Sequence, residues 1–151
     1  KAQLVVIAGR NEDLKAKLEA HDWKTPHHIF GYVSNHYEMP RIMAASDIIV
    51  TKAGPSTITE ASIAGLPMII SDRIPGQETG NVQLVVDNDA GVYLPKPDKV
   101  AETVEQWLAE GPERLAERAS NAKRLARPEA VWDIAEEVWE WAHKPNIEIV
   151  S

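Results

Sequence analysis

The sequence contains no cysteine, only one phenylalanine and no long hydrophobic run. The absence of cysteine excludes disulfides, thiolate metal sites and cysteine nucleophiles, and it is compatible with a reducing compartment. Apolar runs such as residues 4–8 and 48–50 have the length of strands, far short of the ~20 residues that span a bilayer. The start of the chain also lacks the charged and apolar regions of a signal peptide. We therefore expect a globular protein in the cytoplasm.

Positive charge is scarce as well. The chain carries 16 Lys and Arg residues against 23 Asp and Glu residues, for a formal net charge of −7. Proteins that bind a nucleic-acid backbone need clustered Lys and Arg side chains to displace its counterions. We expect no nucleic-acid partner. The length of 151 residues fits one domain that can bury a substantial core.

Short runs rich in Val and Ile alternate with helical patterns over the first two thirds of the chain. This alternation predicts an α/β fold, with a parallel sheet and flanking helices. The predicted strands are residues 3–8, 27–32, 47–51, 68–71 and 91–94, and the predicted helices between them are residues 12–21, 36–45, 56–64 and 81–88. Beyond residue 98 only helical patterns follow, which predicts a helical C-terminal tail. In its last helix, Trp132 and Trp139 share one face, a spacing that usually indicates packing.

A strand end, a turn of small residues and a helix start follow one another at residues 51–60. Gly54 allows a ligand to approach the backbone, and Pro55 suits the first helical position. The amides of Ser56 and Thr57 then point along the positive end of the helix dipole, where a diphosphate fits. In the alternative interpretation, Thr57 and Glu60 form a capping box that satisfies these amides without a ligand.

The next strand is followed by a polar loop at residues 74–81, which the parallel arrangement places on the same sheet edge. Gln77, Glu78 and Asn81 offer the hydrogen-bond donors and acceptors that fix sugar hydroxyls. The alternative is a surface loop in which Asn81 caps the following helix.

The loop at residues 31–35 leaves the second strand on the same edge. Tyr32 could present an aromatic face to a nucleobase, but a half-buried packing role is the more frequent one. His27 and His28 point to opposite faces of a strand, so no metal site is expected. No acid/base pair or nucleophile elbow is visible, and we expect no catalytic residue in this chain.

Five segments together resemble one enzyme family. They are Gly-Tyr-Val-Ser-Asn at 31–35, Ser-Asp-Ile-Ile-Val-Thr-Lys-Ala-Gly-Pro-Ser-Thr at 46–57, Glu-Ala at 60–61, Gly-Leu-Pro at 65–67 and Ile-Pro-Gly-Gln-Glu-Thr-Gly-Asn at 74–81. The ordered set is similar to the diacylglycerol glycosyltransferases, with the monogalactosyldiacylglycerol synthases nearest. The lipid-linked N-acetylglucosaminyltransferase of peptidoglycan synthesis is a more distant relative. The resemblance spans residues 4–141.

The resemblance implies the C-terminal half of a GT-B fold, in which two Rossmann-like domains face a cleft. The C-terminal domain of that fold holds the nucleotide sugar, and the N-terminal domain holds the acceptor and the base. We therefore expect residues 1–151 to form a single donor-binding domain and to be a fragment of a longer two-domain enzyme. The strand and glycine-rich loop that normally begin this domain are missing from the sequence.

Carried over position by position, the resemblance implies a nucleotide-sugar site composed of Tyr32, Val33, Gly54, Ser56, Thr57, Glu60, Gln77, Glu78 and Asn81. The backbone of Val33 reads uracil beside Tyr32. Ser56 and Thr57 contact the diphosphate, and Glu60 binds the ribose. Gln77 and Glu78 contact the donor sugar, and Asn81 closes the same motif.

The implied function is transfer of a hexose, galactose or glucose, from a UDP-sugar to diacylglycerol or a related lipid. The fragment alone is expected to be inactive, because the lipid acceptor binds through the missing domain. Neither a metal nor another cofactor is expected, and the parent would associate peripherally with the cytoplasmic face of a membrane. The alternatives are a UDP-N-acetylhexosamine 2-epimerase, which shares the fold but needs no acceptor, and a stand-alone nucleotide-binding module.

Overall fold

A computed structural model describes residues 2–144, and the chain divides into two compact units between residues 45 and 46. Parallel strands flanked by helices make up both units, and the described part of the chain ends in three successive helices. The predicted α/β class is therefore confirmed. The strands and helices occur in the predicted order, and their ends differ from the predicted ones by a few residues at most.

The N-terminal unit contains two parallel strands and two helices. Its elements are β1 (Leu4–Ile7), α1 (Glu12–Glu19), β2 (His27–Phe30) and α2 (Glu38–Ala44). The strands pair in register from Leu4 with His27 to Ile7 with Phe30. The side chain of Asn11 caps α1 by accepting a hydrogen bond from the amide of Leu14 at 2.9 Å, which satisfies one of the free amides at the helix start.

The C-terminal unit contains a three-stranded parallel sheet in the order β3-β4-β5, followed by three helices. Its elements are β3 (Ile49–Lys52), α3 (Pro55–Ala64), β4 (Met68–Asp72), α4 (Thr79–Asp87), β5 (Gly91–Tyr93), α5 (Pro97–Ala109), α6 (Pro112–Arg124) and α7 (Ala130–His143). Helix α4 begins two residues before its predicted start.

Strand β4 lies at the centre of this sheet and of the core. Met68, Ile69 and Ile70 are fully buried in succession, so both faces of the strand are covered, as expected for a parallel sheet with helices on its faces. Burial of each of these side chains contributes about 1.5–3 kcal/mol at most. The position of β4 is thereby fixed, and its neighbours β3 and β5 are aligned against it.

Strand β5 approaches β4 so closely that a side chain cannot fit at its first residue. A Cβ atom on Gly91 would lie 2.0 Å from the carbonyl oxygen of Met68 and 2.8 Å from Cγ1 of Val85. The first contact is with backbone, which cannot rotate out of the way. Position 91 therefore has room only for glycine.

The predicted packing of the last helix is wrong for the part of the chain that the structure describes. Trp132 is 70% exposed and Trp139 is 67% exposed, and α7 has no buried residue. Their spacing indicated one face of a helix correctly, but nothing in the spacing indicates what covers that face.

We predict that Gly91→Ala lowers the free energy of unfolding by about 1–3 kcal/mol, because the new methyl group overlaps the backbone of β4. Gly80→Ala is the matched control, since a Cβ there meets nothing within 4 Å. This control should leave stability unchanged or raise it by about 0.4–1 kcal/mol. Urea unfolding of both variants checks the prediction. Equal stability of the two variants would contradict the close approach of β5 to β4.

Candidate functional site

The chain passes from β3 into α3 through a tight turn of two buried residues, Ala53 and Gly54. The pairing of β3 with β4 shifts register between Thr51 and Lys52, so that Lys52 is opposite Asp72. The amide of Ala53 donates to the carbonyl of Asp72 at 2.8 Å, and the amide of Gly54 donates to the carbonyl of Lys52 at 2.8 Å. The turn therefore brings the start of α3 directly to the carboxyl end of β3.

The amino end of α3 has no side-chain cap among the residues described. Gly54 is the N-cap residue with extended backbone, and Pro55 occupies the first turn as predicted. The helix begins its hydrogen bonding with the amide of Ile58, which donates to the carbonyl of Gly54 at 3.0 Å. The amides of Ser56 and Thr57 precede this bond, and they are the groups that a helix start leaves to solvent or a ligand.

The capping box considered as an alternative for this segment is wrong. A capping box joins the N-cap residue to the third helical residue. Because Gly54 is the N-cap residue, Thr57 is the third helical residue and Glu60 lies almost one turn further along. Glu60 is exposed on α3, so its carboxylate is not used to begin the helix.

The loop that follows β4 is held by its own side chains. The guanidinium of Arg73 donates to Oγ1 of Thr79 at 2.6 Å, and the amide of Gly76 donates to the same oxygen at 3.2 Å. Gly76 has a φ of 81°, in the left-handed region that favours glycine. Gln77 is exposed at the tip of this ordered loop, where its side chain is free to meet a ligand.

Glu78 is 1% exposed, and both oxygens of its carboxylate are engaged. Oε1 lies 2.8 Å from Nζ of Lys52, and Oε2 accepts a hydrogen bond from the amide of Ile74 at 2.7 Å. The hydrogen bond from Lys52 contributes most to lowering the pKa of Glu78, followed by the hydrogen bond from the amide of Ile74. The carboxylate is therefore ionised, and it fixes a cation beside the turn that begins α3.

Asn81 forms a second link between the two loops. Its Nδ2 donates to the carbonyl oxygen of Ala53 at 2.9 Å. The alternative in which Asn81 caps the next helix is wrong, because α4 begins at Thr79 with Glu78 as N-cap residue. Asn81 lies inside the first turn of α4, and its side chain satisfies the buried backbone of the preceding turn.

These two links bring most of the predicted site to one edge of the three-stranded sheet. The residues concerned follow β3 and β4, at the edge where parallel sheets bind ligands. They are Gly54, Ser56, Thr57, Glu60, Gln77, Glu78 and Asn81. The sequence did not indicate a role for Lys52, because its partner is 26 positions away and a local pattern does not reveal such a pair.

The remaining two predicted residues, Tyr32 and Val33, lie in the N-terminal unit. Tyr32 is 57% exposed, and the guanidinium carbon of Arg10 lies 4.4 Å from the centre of its ring. The guanidinium covers one face of the ring, so the opposite face is the one available for stacking. Val33 is half-buried.

Within residues 2–144, no three His, Cys, Asp or Glu side chains come together in a group suited to a metal ion. None of the helices in this range is long and apolar enough to cross a membrane.

The family model described as "Glycosyltransferase family 28 C-terminal domain" matches residues 1–138. The chain belongs to this family. This chain is 47% identical to monogalactosyldiacylglycerol synthase 3 of Arabidopsis thaliana over 136 residues. These residues are 90% of this chain and 29% of that protein. The spinach synthase (Spinacia oleracea) is 46% identical over 136 residues, 90% of this chain and 26% of its own length. The chain thus spans less than a third of these curated relatives.

Solved glycosyltransferases share the fold of the family 28 domain. MurG of Acinetobacter baumannii has a TM-score of 0.72 at 18% identity, over 93% of this chain and 42% of that one. WaaG, described as a glycosyltransferase involved in lipopolysaccharide biosynthesis, has a TM-score of 0.62 at 21% identity, over 94% of this chain and 38% of that one. These similarities show a GT-B C-terminal domain, as the sequence predicted.

We predict that the stability added by the Glu78 carboxylate depends on pH. A carboxyl whose pKa is lowered by folding stabilises the folded state above its ordinary pKa, about 4.3 for glutamate, and this stabilisation is lost as the pH falls through the folded value. Glu78→Gln should therefore be less stable than the parent at neutral pH, and the difference should shrink on acidification below the ordinary range. Urea unfolding of both proteins at several pH values measures it.

Glu60→Gln on the exposed face of α3 is the control, for which we expect a small difference in stability throughout. A difference for Glu78→Gln that stays constant from neutral to acid pH would show that the ion pair with Lys52 is not its source.

Proposed function

We propose that this family 28 domain binds the UDP-sugar donor of a hexosyltransferase whose acceptor is diacylglycerol or a related lipid. The observation that carries the proposal is the uncapped start of α3. There the amides of Ser56 and Thr57 follow the small turn residue Gly54, at the sheet edge where parallel sheets bind ligands. Free amides at the positive end of a helix dipole are suited to a diphosphate.

The family relatives support the choice of reaction. Curated proteins 42–47% identical to the chain are named monogalactosyldiacylglycerol synthases, which favours galactose as the sugar and diacylglycerol as the acceptor. None of these names favours the epimerase or the stand-alone module. Because the chain spans 29% of the first of these relatives, we assign acceptor binding and the catalytic base to the remainder of a longer parent.

In the proposed reaction, the bond between the anomeric carbon of the hexose and the diphosphate breaks. The lipid hydroxyl forms the new bond to that carbon and gives its proton to the base in the rest of the parent. Negative charge develops on the departing UDP. The amides and hydroxyls of Ser56 and Thr57 would stabilise this charge. The amides are held in place by the helix and need not reorganise, which is the usual source of electrostatic catalysis.

The sugar and the ribose are assigned to the side chains around the diphosphate. Glu60 lies four residues after Ser56 and three after Thr57, on the same side of α3, and would bind the ribose. Gln77 is exposed and would contact the hexose, together with Oδ1 of Asn81. A sugar hydroxyl that contacts Glu78 would have to share a carboxylate oxygen that already accepts a hydrogen bond.

Recognition of the base is assigned to the loop after β2, where the backbone of Val33 and the open face of Tyr32 would contact uracil.

The parent would associate peripherally with a membrane, because a lipid acceptor requires access to a membrane surface. A cytoplasmic location stays a prediction, since the names of the relatives describe those proteins as chloroplastic.

We predict that Glu60→Ala weakens UDP binding by roughly ten- to a hundredfold, because a carboxylate that accepts from two ribose hydroxyls contributes about 1.5–3 kcal/mol. Glu60→Gln should lose less, since the amide oxygen still accepts a hydrogen bond. Isothermal titration of the 151-residue chain with UDP measures both.

Glu105→Ala, which removes the same charge from the exposed face of α5, is the control and should bind UDP like the parent. The ribose assignment is wrong if Glu60→Ala also retains the affinity of the parent for UDP.

A further inference from the structure

We propose that Lys52 provides the ammonium group that binds the diphosphate, and that Glu78 is a positioning residue that holds this group over the turn before α3. This role of Lys52 rests on the proposed function, since it concerns the same site. The sequence motifs indicated ligand binding by the amides of α3 and by the polar loop after β4, and they gave no role to Lys52.

The position of the ammonium group is the first support. Lys52 is the last residue of β3, and its side chain folds back over the N-cap residue of α3. A Cβ atom on Gly54 would lie 3.8 Å from Nζ of Lys52 and 4.0 Å from Oε1 of Glu78. The ammonium group is therefore beside the backbone that leads into the amides of Ser56 and Thr57. A diphosphate bound to those amides comes within reach of it.

The second support is the capacity of the ammonium group for further bonds. A lysine ammonium has three donors, and within residues 2–144 the partner shown for Nζ is Glu78. The side chain of Lys52 is 56% exposed, whereas that of Glu78 is 2% exposed. One donor is thus directed into the protein and fixes the group, while others are open to an anion from solvent.

The third support concerns Arg73, the cation of the loop after β4, whose guanidinium is engaged by other side chains. The guanidinium of Arg73 donates to Oγ1 of Thr79 at 2.6 Å, and its central carbon lies 5.6 Å from the centre of the Tyr93 ring. Arg73 therefore orders the loop after β4. In a chain of net charge −7, an anionic ligand needs a local positive charge, and Lys52 is the side chain placed to supply it.

The test compares Lys52→Met with the parent, using the 151-residue chain and two probes, UDP and inorganic pyrophosphate. We expect Lys52→Met to weaken both by about tenfold or more, because a charge-assisted hydrogen bond is lost with the same diphosphate group. Lys52→Arg should recover most of the affinity, since it restores a cation. Equal affinities of Lys52→Met and the parent for both probes would overturn the inference.

The matched control is Lys123→Met. It removes the same charge, and its side chain packs against Gly65 at the opposite end of α3. Methionine keeps most of this apolar packing, so the variant should bind both probes like the parent. A loss as large as that of Lys52→Met would mean that net charge alone sets the affinity, and would overturn the inference.

The role of Glu78 is tested by its dependence on Lys52. Glu78→Gln should weaken UDP and pyrophosphate several-fold in the parent and add nothing in the Lys52→Met background, because Glu78 acts through Lys52. If Glu78→Gln does not fold, Glu78→Asp replaces it. A loss that persists in the Lys52→Met background, or that appears only with a UDP-hexose, would show a structural or direct sugar role and overturn the positioning role.

The two probes separate this inference from the proposed function. UDP binding that is tight but insensitive to Lys52→Met would leave the proposed function intact and refute the role of Lys52. Pyrophosphate binding that depends on Lys52, with UDP bound no more tightly than pyrophosphate, would support the diphosphate site and refute a UDP-sugar donor. Binding of neither probe to the parent would refute both.

Discussion

The burial of three successive apolar residues in β4, from Met68 to Ile70, is the constraint on which the C-terminal unit depends. It fixes the position of the strand, and the close approach of Gly91 to the backbone of Met68 aligns β5 against it. Pairing on the other side aligns β3. Because β3 and β4 are parallel and adjacent, the chain segments that leave their carboxyl ends start side by side. The site is built from these two segments.

Two polar contacts then join the segments that follow β3 and β4. Asn81 donates a hydrogen bond to the carbonyl of the buried residue Ala53, and Glu78 forms an ion pair with Lys52. A carboxylate as buried as that of Glu78 needs a partner, because an unpaired charge out of water is strongly destabilising. The exposed side chain of Lys52 meets this need and becomes fixed at the start of α3. The ion pair of Lys52 and Glu78 thus neutralises a buried carboxylate and also places a cation at the proposed anion site.

The sequence predicted the elements of this arrangement better than their connections. The alternation of apolar runs with helical patterns is local, and so are the small residues around Gly54, which explains why the order of elements and the start of α3 were predicted well. The pair formed by Lys52 and Glu78 depends on how β3 and β4 align, and no local pattern contains that information. The capping roles considered for Glu60 and Asn81 were wrong for the same reason, since a cap is defined by where the helix begins. For Trp132 and Trp139, spacing predicted a shared face but could not show whether that face is covered.

In the proposed function, the amino end of α3 binds the diphosphate of a uridine nucleotide. The most direct measurement is a titration of the ¹⁵N-labelled chain with UDP, followed by NMR of the backbone amides, and the same titration with GDP. We expect the amide signals of Ser56 and Thr57 to shift and saturate with UDP, and GDP to produce the same shifts only at higher concentration. Saturating shifts elsewhere in the chain, with the signals of Ser56 and Thr57 unmoved, would show that the diphosphate does not bind at α3.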